Sequence, residues 1–273
     1  MLSENLARIR MRIQQACRRS GRDPASVTLV CVTKGIPAET IRRVVTLGVA
    51  DLGENRVQEA RAKQLATGYK LQASGLDVQP AACSLPHVRW HLIGHLQRNK
   101  AKDAVELFQA IHSVDSRALA EELNRQAAKH APSSKLQAPS GNLQPAACSL
   151  EPLEVFVQVN VSGETTKFGC RPDEAVALAQ TVAQLSHLRL KGLMTLAPFS
   201  EDPERARPHF GRLRELRDGL ATSLSLEPST LSLSMGMSQD FEVAIEEGAD
   251  VVRIGTAIFG DQRQETRDKR LEQ

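Results

Sequence analysis

Aromatic residues make up only 3% of this 273-residue chain, with one tryptophan and one tyrosine. So sparse a set argues against a stacking platform for single-stranded nucleic acid. Charge of neither sign is in excess: 35 basic residues face 32 acidic ones, a net charge of +3. That imbalance is too small to imply nucleic acid or an anionic membrane as a partner. No stretch approaches the roughly 18 consecutive apolar residues that a membrane-spanning helix needs. The opening residues MLSENLARIR lack the apolar centre of a signal peptide. Five cysteines are present, at 17, 31, 83, 148 and 170, an odd number with no C-x-x-C pair. A disulfide framework and structural zinc are therefore not expected, and the expected compartment is a reducing cytoplasm. No H-E-x-x-H or other ligand-spaced histidine cluster appears, so no metal site is expected, and G-x-S-x-G and the P-loop are missing too.

What the chain has is alternation. Leu6, Ile9, Ile13 and Ala16 keep helical spacing, which predicts an amphipathic helix over 4–19. Short apolar runs then follow at 27–32, 50–52, 89–93, 110–114, 154–160, 189–194, 231–235 and 250–255. Helical patterns separate them, at 38–48, 55–65, 98–107, 116–130, 172–186, 204–220 and 238–247. Gly48 suits a helix C-terminus, and Ser238 suits the N-cap of the last helix. Strict alternation implies a parallel sheet. Eight units in roughly 250 residues is the arithmetic of a (β/α)8 TIM barrel with an extra N-terminal helix. The rival, a doubly wound open sheet, lacks its G-x-G-x-x-G after the first strand.

Two segments break the rhythm. KLQASGLDVQPAACSL (70–85) and KLQAPSGNLQPAACSL (135–150) are near copies and share QPAACSL. Both lie between a helix and the next strand, on the N-terminal side of a barrel. They read as duplicated linker insertions, at about 67–87 and 131–152, in one domain spanning 1–273. A regulatory docking loop is the other reading. Cys83 and Cys148 fall within them and are given no catalytic role.

In this fold the chemistry sits at the C-terminal strand ends, and the loops after strands seven and eight often bind phosphate. The first strand runs into Lys34. The seventh ends in SMGMS (234–238) and the eighth in RIGT (253–256). Gly236 and Gly255 let backbone N–H groups approach an anion, while Ser234, Ser238 and Thr256 add hydroxyls and Arg253 a positive charge. Strands one and eight adjoin in a closed barrel, so Lys34 neighbours this site. A lysine in a desolvated pocket loses proton affinity and becomes a nucleophilic amine. Phosphate plus amine suits pyridoxal 5′-phosphate (PLP) held as a Schiff base, or a phosphosugar in an aldolase. A lysine that merely snorkels at the barrel rim is the third reading. His91 reads as a satisfied strand histidine ahead of a catalytic base, and Asn55 as a helix cap.

The segments VTKGIP, GENRVQEA, WHLIGHLQRNK, IHSVD, QVNVSGETTKFG, LKGLM, SMGMSQDFEVAI and VRIGTAIFG occur in that order. Together they resemble the YggS/PROSC family of PLP homeostasis proteins, from residue 5 to about 261. The resemblance implies a barrel like the N-terminal domain of alanine racemase. It implies PLP joined to Lys34 as an aldimine, with Ser234, Met235, Gly236, Ser238, Arg253, Gly255 and Thr256 around phosphate and ring. Asn55 and His91 would line the pocket. It further implies a cytoplasmic, monomeric carrier in vitamin B6 homeostasis and amino-acid and keto-acid balance. Its partners would be PLP, free amino acids and PLP-requiring apo-enzymes, with no catalytic residue. The alternative is a PLP-dependent racemase or decarboxylase. A racemase needs acid/base groups on both faces of its substrate, and the single tyrosine, Tyr69, falls on the wrong barrel face to serve.

Overall fold

The computed structural model describes residues 1–69, 88–130, 152–164 and 167–260. Eight parallel strands close into a barrel in chain order. They are β1 (Thr28–Val32), β2 (Asp51–Glu54), β3 (Arg89–Leu92), β4 (Ala110–Val114), β5 (Leu153–Gln158), β6 (Leu188–Met194), β7 (Ser232–Ser234) and β8 (Val251–Ile254). Closure comes from β1 pairing with β8, with Thr28 opposite Val251 and Val30 opposite Arg253. The strands are buried along most of their length, which is why they read as apolar runs and not as alternating ones.

Helices α1 (Leu2–Arg19), α2 (Ala38–Thr46), α3 (Val57–Thr67), α4 (Ala101–Leu107), α5 (Arg117–His130), α6 (Pro172–Ala183), α7 (Arg207–Ser223), α8 (Phe241–Glu246) and α9 (Thr256–Phe259) form the outer layer. The large apolar core lies between this layer and the sheet. The inside of the barrel holds only a small apolar cluster, Val30, Phe156, Met194 and Val251. The extra N-terminal helix buries Leu6, Ile9, Ile13, Ala16 and Cys17 and packs on α8 and α9. Its outer edge is pinned by Arg12 to Glu242 and Arg19 to Glu246, both at 2.7 Å.

The predicted units match the observed ones, with local differences. β2 continues through Gly53 and Glu54, which sequence patterning leaves to a loop. Glu54 remains strand because its carboxylate is neutralised beneath α3, as described below. The predicted 238–247 helix begins only at Phe241, and its N-cap is Asp240, not Ser238. A turn at 237–240, in which Asp240 accepts from the Met237 N–H at 2.6 Å, delays the start. The short α9 was not foreseen. Gly48 takes the left-handed conformation (φ 82°) just past α2, as expected of a helix stop. Both QPAACSL segments lie outside the described residues. Tyr69 is buried, and its carbonyl accepts from Trp90 Nε1 at 2.8 Å.

One glycine is sterically obligatory for the sheet. Gly192 in β6 has φ 151°, and a Cβ there would stand 1.8 Å from the Ser232 carbonyl oxygen. Gly192→Ala must push β6 from β7, and the expected cost is about 3 kcal/mol or more, read as a lower urea midpoint at unchanged slope.

Candidate functional site

A cavity of about 870 Å³ opens at the C-terminal ends of the strands. Lys34 stands at its edge, in the turn after β1, and is exposed. The expectation of a desolvated lysine is therefore corrected. β1 ends at Val32, so Lys34 is two residues beyond the sheet and the strand does not carry it into the core.

The turn itself is tightly held. The Thr33 N–H donates to the Gly53 carbonyl at 2.9 Å and its hydroxyl donates to Glu54 Oε1 at 2.5 Å. On the other side of Lys34, the Gly35 N–H donates to Glu59 Oε1 at 2.7 Å. One buried ammonium ties these together. Lys63 Nζ donates to the Thr33 carbonyl (2.5 Å), Glu54 Oε1 (2.6 Å) and Glu59 Oε1 (2.7 Å). All three of its donors are used. Burial pushes the Glu54 carboxyl above its usual range, against the pull of Lys63 and Thr33. At Glu59 burial acts upward too, but Lys63 and the Gly35 N–H outweigh it and hold the carboxyl below its usual range. Sequence reasoning missed this cluster. Its one legible signal was Glu59 four residues before Lys63 on a helix.

Six of the expected residues line the cavity: Lys34, Asn55, Ser238, Arg253, Gly255 and Thr256. His91, Ser234, Met235 and Gly236 are not among the lining residues. Met235 is fully buried in the core outside the sheet. Gly236 serves packing: a Cβ there would stand 2.6 Å from that of Ala244 and 2.9 Å from Phe241 Cα. Its lack of a side chain admits α8. Ser238 accepts from the N–H groups of Gly255 (3.4 Å) and Ala257 (3.3 Å), which joins the seventh and eighth loops. Lining residues that went unforeseen include Phe168, Phe199 and Asp240. Phe168 stacks on His95 with ring centres 3.9 Å apart, and His95 Nδ1 lies 3.3 Å from Asp115.

Ser234 and His91 lie deeper. Arg253 Nη1 donates to Ser234 Oγ at 2.6 Å, and Nη2 donates to the Thr195 carbonyl at 2.8 Å. Ser234 Oγ is 2.8 Å from His112 Nδ1. His112 Nε2 is 3.0 Å from His91 Nδ1, and His91 Nε2 is 2.9 Å from Asp51 Oδ1. Strands β4 and β7 are not neighbours, so the His112–Ser234 contact crosses the barrel interior. His112 also stacks on Phe156, with ring centres 4.3 Å apart. Burial pushes the His112 imidazole well below its usual value, and His91, Arg253 and Arg89 act in the same direction. Burial lowers the Arg253 guanidinium to about 10, partly offset by Asp240.

This geometry is matched by known proteins. The family model described as alanine racemase, N-terminal domain, covers residues 5–263. A pyridoxal phosphate homeostasis protein of Pseudomonas aeruginosa is 42% identical over 95% of both chains. The chain belongs to the pyridoxal phosphate homeostasis protein family. A family member from Aquifex aeolicus is 39% identical over 95% of this chain and 98% of its own. Among solved structures, PipY of Synechococcus elongatus PCC7942 with PLP bound superposes with a TM-score of 0.70. It is 32% identical, over 95% of this chain and all of its own. The family assignment agrees with the barrel.

Two outcomes follow for stability. Lys63→Met strips the charge partner from the buried Glu54 and is expected to cost about 3–5 kcal/mol. Adding Glu54→Gln should recover part of that loss, which a double-mutant cycle in urea measures. The second concerns pH. An unfolded imidazole binds its proton near 6.5, whereas folded His112 does so only well below that. Its contribution is fully present above pH 6.5 and is lost as the pH falls below it. The slope for this one group approaches about 1.4 kcal/mol per pH unit. Urea melts between pH 7 and 5 should show that slope, flattened in His112→Asn.

Proposed function

We propose that this chain binds PLP in the cavity at the C-terminal strand ends, with Lys34 as the covalent anchor. It holds the cofactor without robust turnover, in the service of intracellular vitamin B6 and amino-acid balance. The observation that carries the reading is that Lys34, Arg253, Ser238, Gly255 and Thr256 line one cavity. The donor chemistry fits the group: a primary amine for an aldehyde, with a guanidinium, two hydroxyls and backbone N–H groups for phosphate and ring. Relatives named for PLP homeostasis and a related structure with PLP bound support it. When bound, PLP supplies an aldehyde that condenses with amines and a ring that withdraws electrons.

The chain's own part is to present and hold. The Lys63 cluster fixes the backbone on both sides of Lys34, so the amine is offered from a rigid turn while its side chain stays free. Arg253 is fixed at two nitrogens from inside the barrel. The other titratable cavity groups have partners of their own: His95 with Asp115, Asp240 with the Met237 N–H, and Asp202 with the Glu204 N–H. Tyr69 is buried away from the cavity. A second free acid or base facing Lys34 is thus not offered by these residues, which favours a carrier over a racemase or decarboxylase. The reading includes a cytoplasmic monomer built as one barrel domain. Free amino acids meet the cofactor at the open cavity, and PLP-requiring apo-enzymes receive it.

Purified protein saturated with PLP should show a visible imine band. Borohydride should fix one cofactor on Lys34, found by peptide mass, and Lys34→Ala should lose both signals. A colourless wild-type protein would sink the reading, and trapping by a phosphosugar but not by PLP would favour an aldolase. Amino acids incubated with the loaded protein in heavy water should keep their α-protons. Steady exchange of any of them would make the protein an enzyme.

A further inference from the structure

The hydrogen-bonded series through the barrel has a direction, and both ends impose it. At the cavity end, Arg253 has only protons to give. Ser234 Oγ therefore accepts from Nη1, at 2.6 Å. At the other end, a carboxylate only accepts, so His91 Nε2 must carry the proton shared with Asp51 at 2.9 Å. A neutral His91 then accepts at Nδ1, so His112 donates from Nε2 across 3.0 Å. A neutral His112 accepts in turn at Nδ1, from the one hydroxyl proton of Ser234, at 2.8 Å. From Arg253 to Asp51, each group gives one proton to the next. The reverse direction would set two donors against Ser234 and leave its hydroxyl proton without a place in the series.

Burial makes this order costly to disturb. His91, His112, Ser234 and Arg253 are all almost wholly inaccessible, and an unmade bond there costs the full desolvation of its group. Asp51 lies at the start of β2 and retains some exposure. Arg89 approaches its carboxylate at 4.0 Å. The series thus runs from a partly solvated carboxylate on the N-terminal side of the barrel to a guanidinium that lines the cavity.

We propose that Asp51, His91 and His112 are positioning residues for the cofactor site. They hold Ser234 as a fixed acceptor for Arg253, and so fix the plane in which Arg253 presents its remaining protons to an acceptor on the bound group. This rests on the reading of the cavity as a PLP site. None of the three lines the cavity, so their effect on a ligand passes through Arg253.

The first test needs no cofactor. Side-chain ¹⁵N NMR at pH 7 reads the proton on each imidazole nitrogen. His91 and His112 should both be protonated on Nε2 and bare on Nδ1. A proton on Nδ1 of His112 overturns the proposal. The second test titrates PLP into three proteins and follows the visible band. His112→Phe keeps a ring against Phe156 but offers Ser234 no acceptor. It should bind PLP about tenfold more weakly with a displaced band, while borohydride still fixes one PLP on Lys34 at saturation. His112→Asn, which can accept from Ser234 again, should restore the band and most of the affinity. Asp51→Ala, should His112→Phe fail to fold, is expected to displace the band in the same direction. Wild-type band and affinity in both His112→Phe and Asp51→Ala would overturn the positioning role. If wild-type protein takes up no PLP, the cofactor reading has failed, and the NMR result alone decides whether the series runs as stated.

Discussion

The pairing of β1 with β8 is the contact on which the site depends. It sets Val30 beside Arg253 and Cys31 beside Ile254. Residues more than 200 apart in sequence thereby become neighbours at one end of one sheet. Lys34 follows the first of these strands, and Gly255 and Thr256 follow the last. A parallel barrel closes only when every strand has a partner on both sides, so the site is a property of all eight units. No local segment of this chain could assemble it.

Around that seam the protein uses two buried polar clusters on opposite faces of the sheet. Lys63, Glu54 and Glu59 lie between β2 and α3 and grip the backbone on both sides of Lys34. Asp51, His91, His112 and Ser234 lie within the barrel and grip Arg253. Each leaves its functional group facing the cavity while fixing what lies behind it. This explains why the barrel interior has so small an apolar cluster. Volume that aliphatic side chains would fill in a barrel built for stability alone is given to histidine, serine and arginine.

The two clusters differ in what they ask of pH. The outer one is an ion cluster, whose strength lies in charge neutralisation at contact distance. The inner one depends on neutral imidazoles, which burial maintains at His112. Acid therefore weakens the inner cluster by protonating histidine as the chain opens.

Much of this was legible in the sequence. The eight apolar runs, Lys34 after the first and the Gly-Ser and Gly-Thr turns after the last two are local patterns, and period and punctuation reveal them. Length and alternation imply closure, and closure implies that Lys34 and Arg253 meet. The residues that stand behind the site were not legible. Glu54 read as loop because a carboxylate at a strand end announces no partner, and its partner is on the following helix. His91 and Ser234 were singled out but assigned to the cavity wall, since sequence gives the strand and not the depth along it. Gly236 was read as part of an anion loop, and the room it leaves for α8 was not seen. His112 stood in the IHSVD segment of the resemblance but was given no role of its own. Sequence by itself determined the units, their order and the lysine that follows the first strand, because those depend on neighbours in the chain. Tertiary structure alone decided which polar groups face the cavity and which stand beneath it, because strand register and barrel closure set that choice.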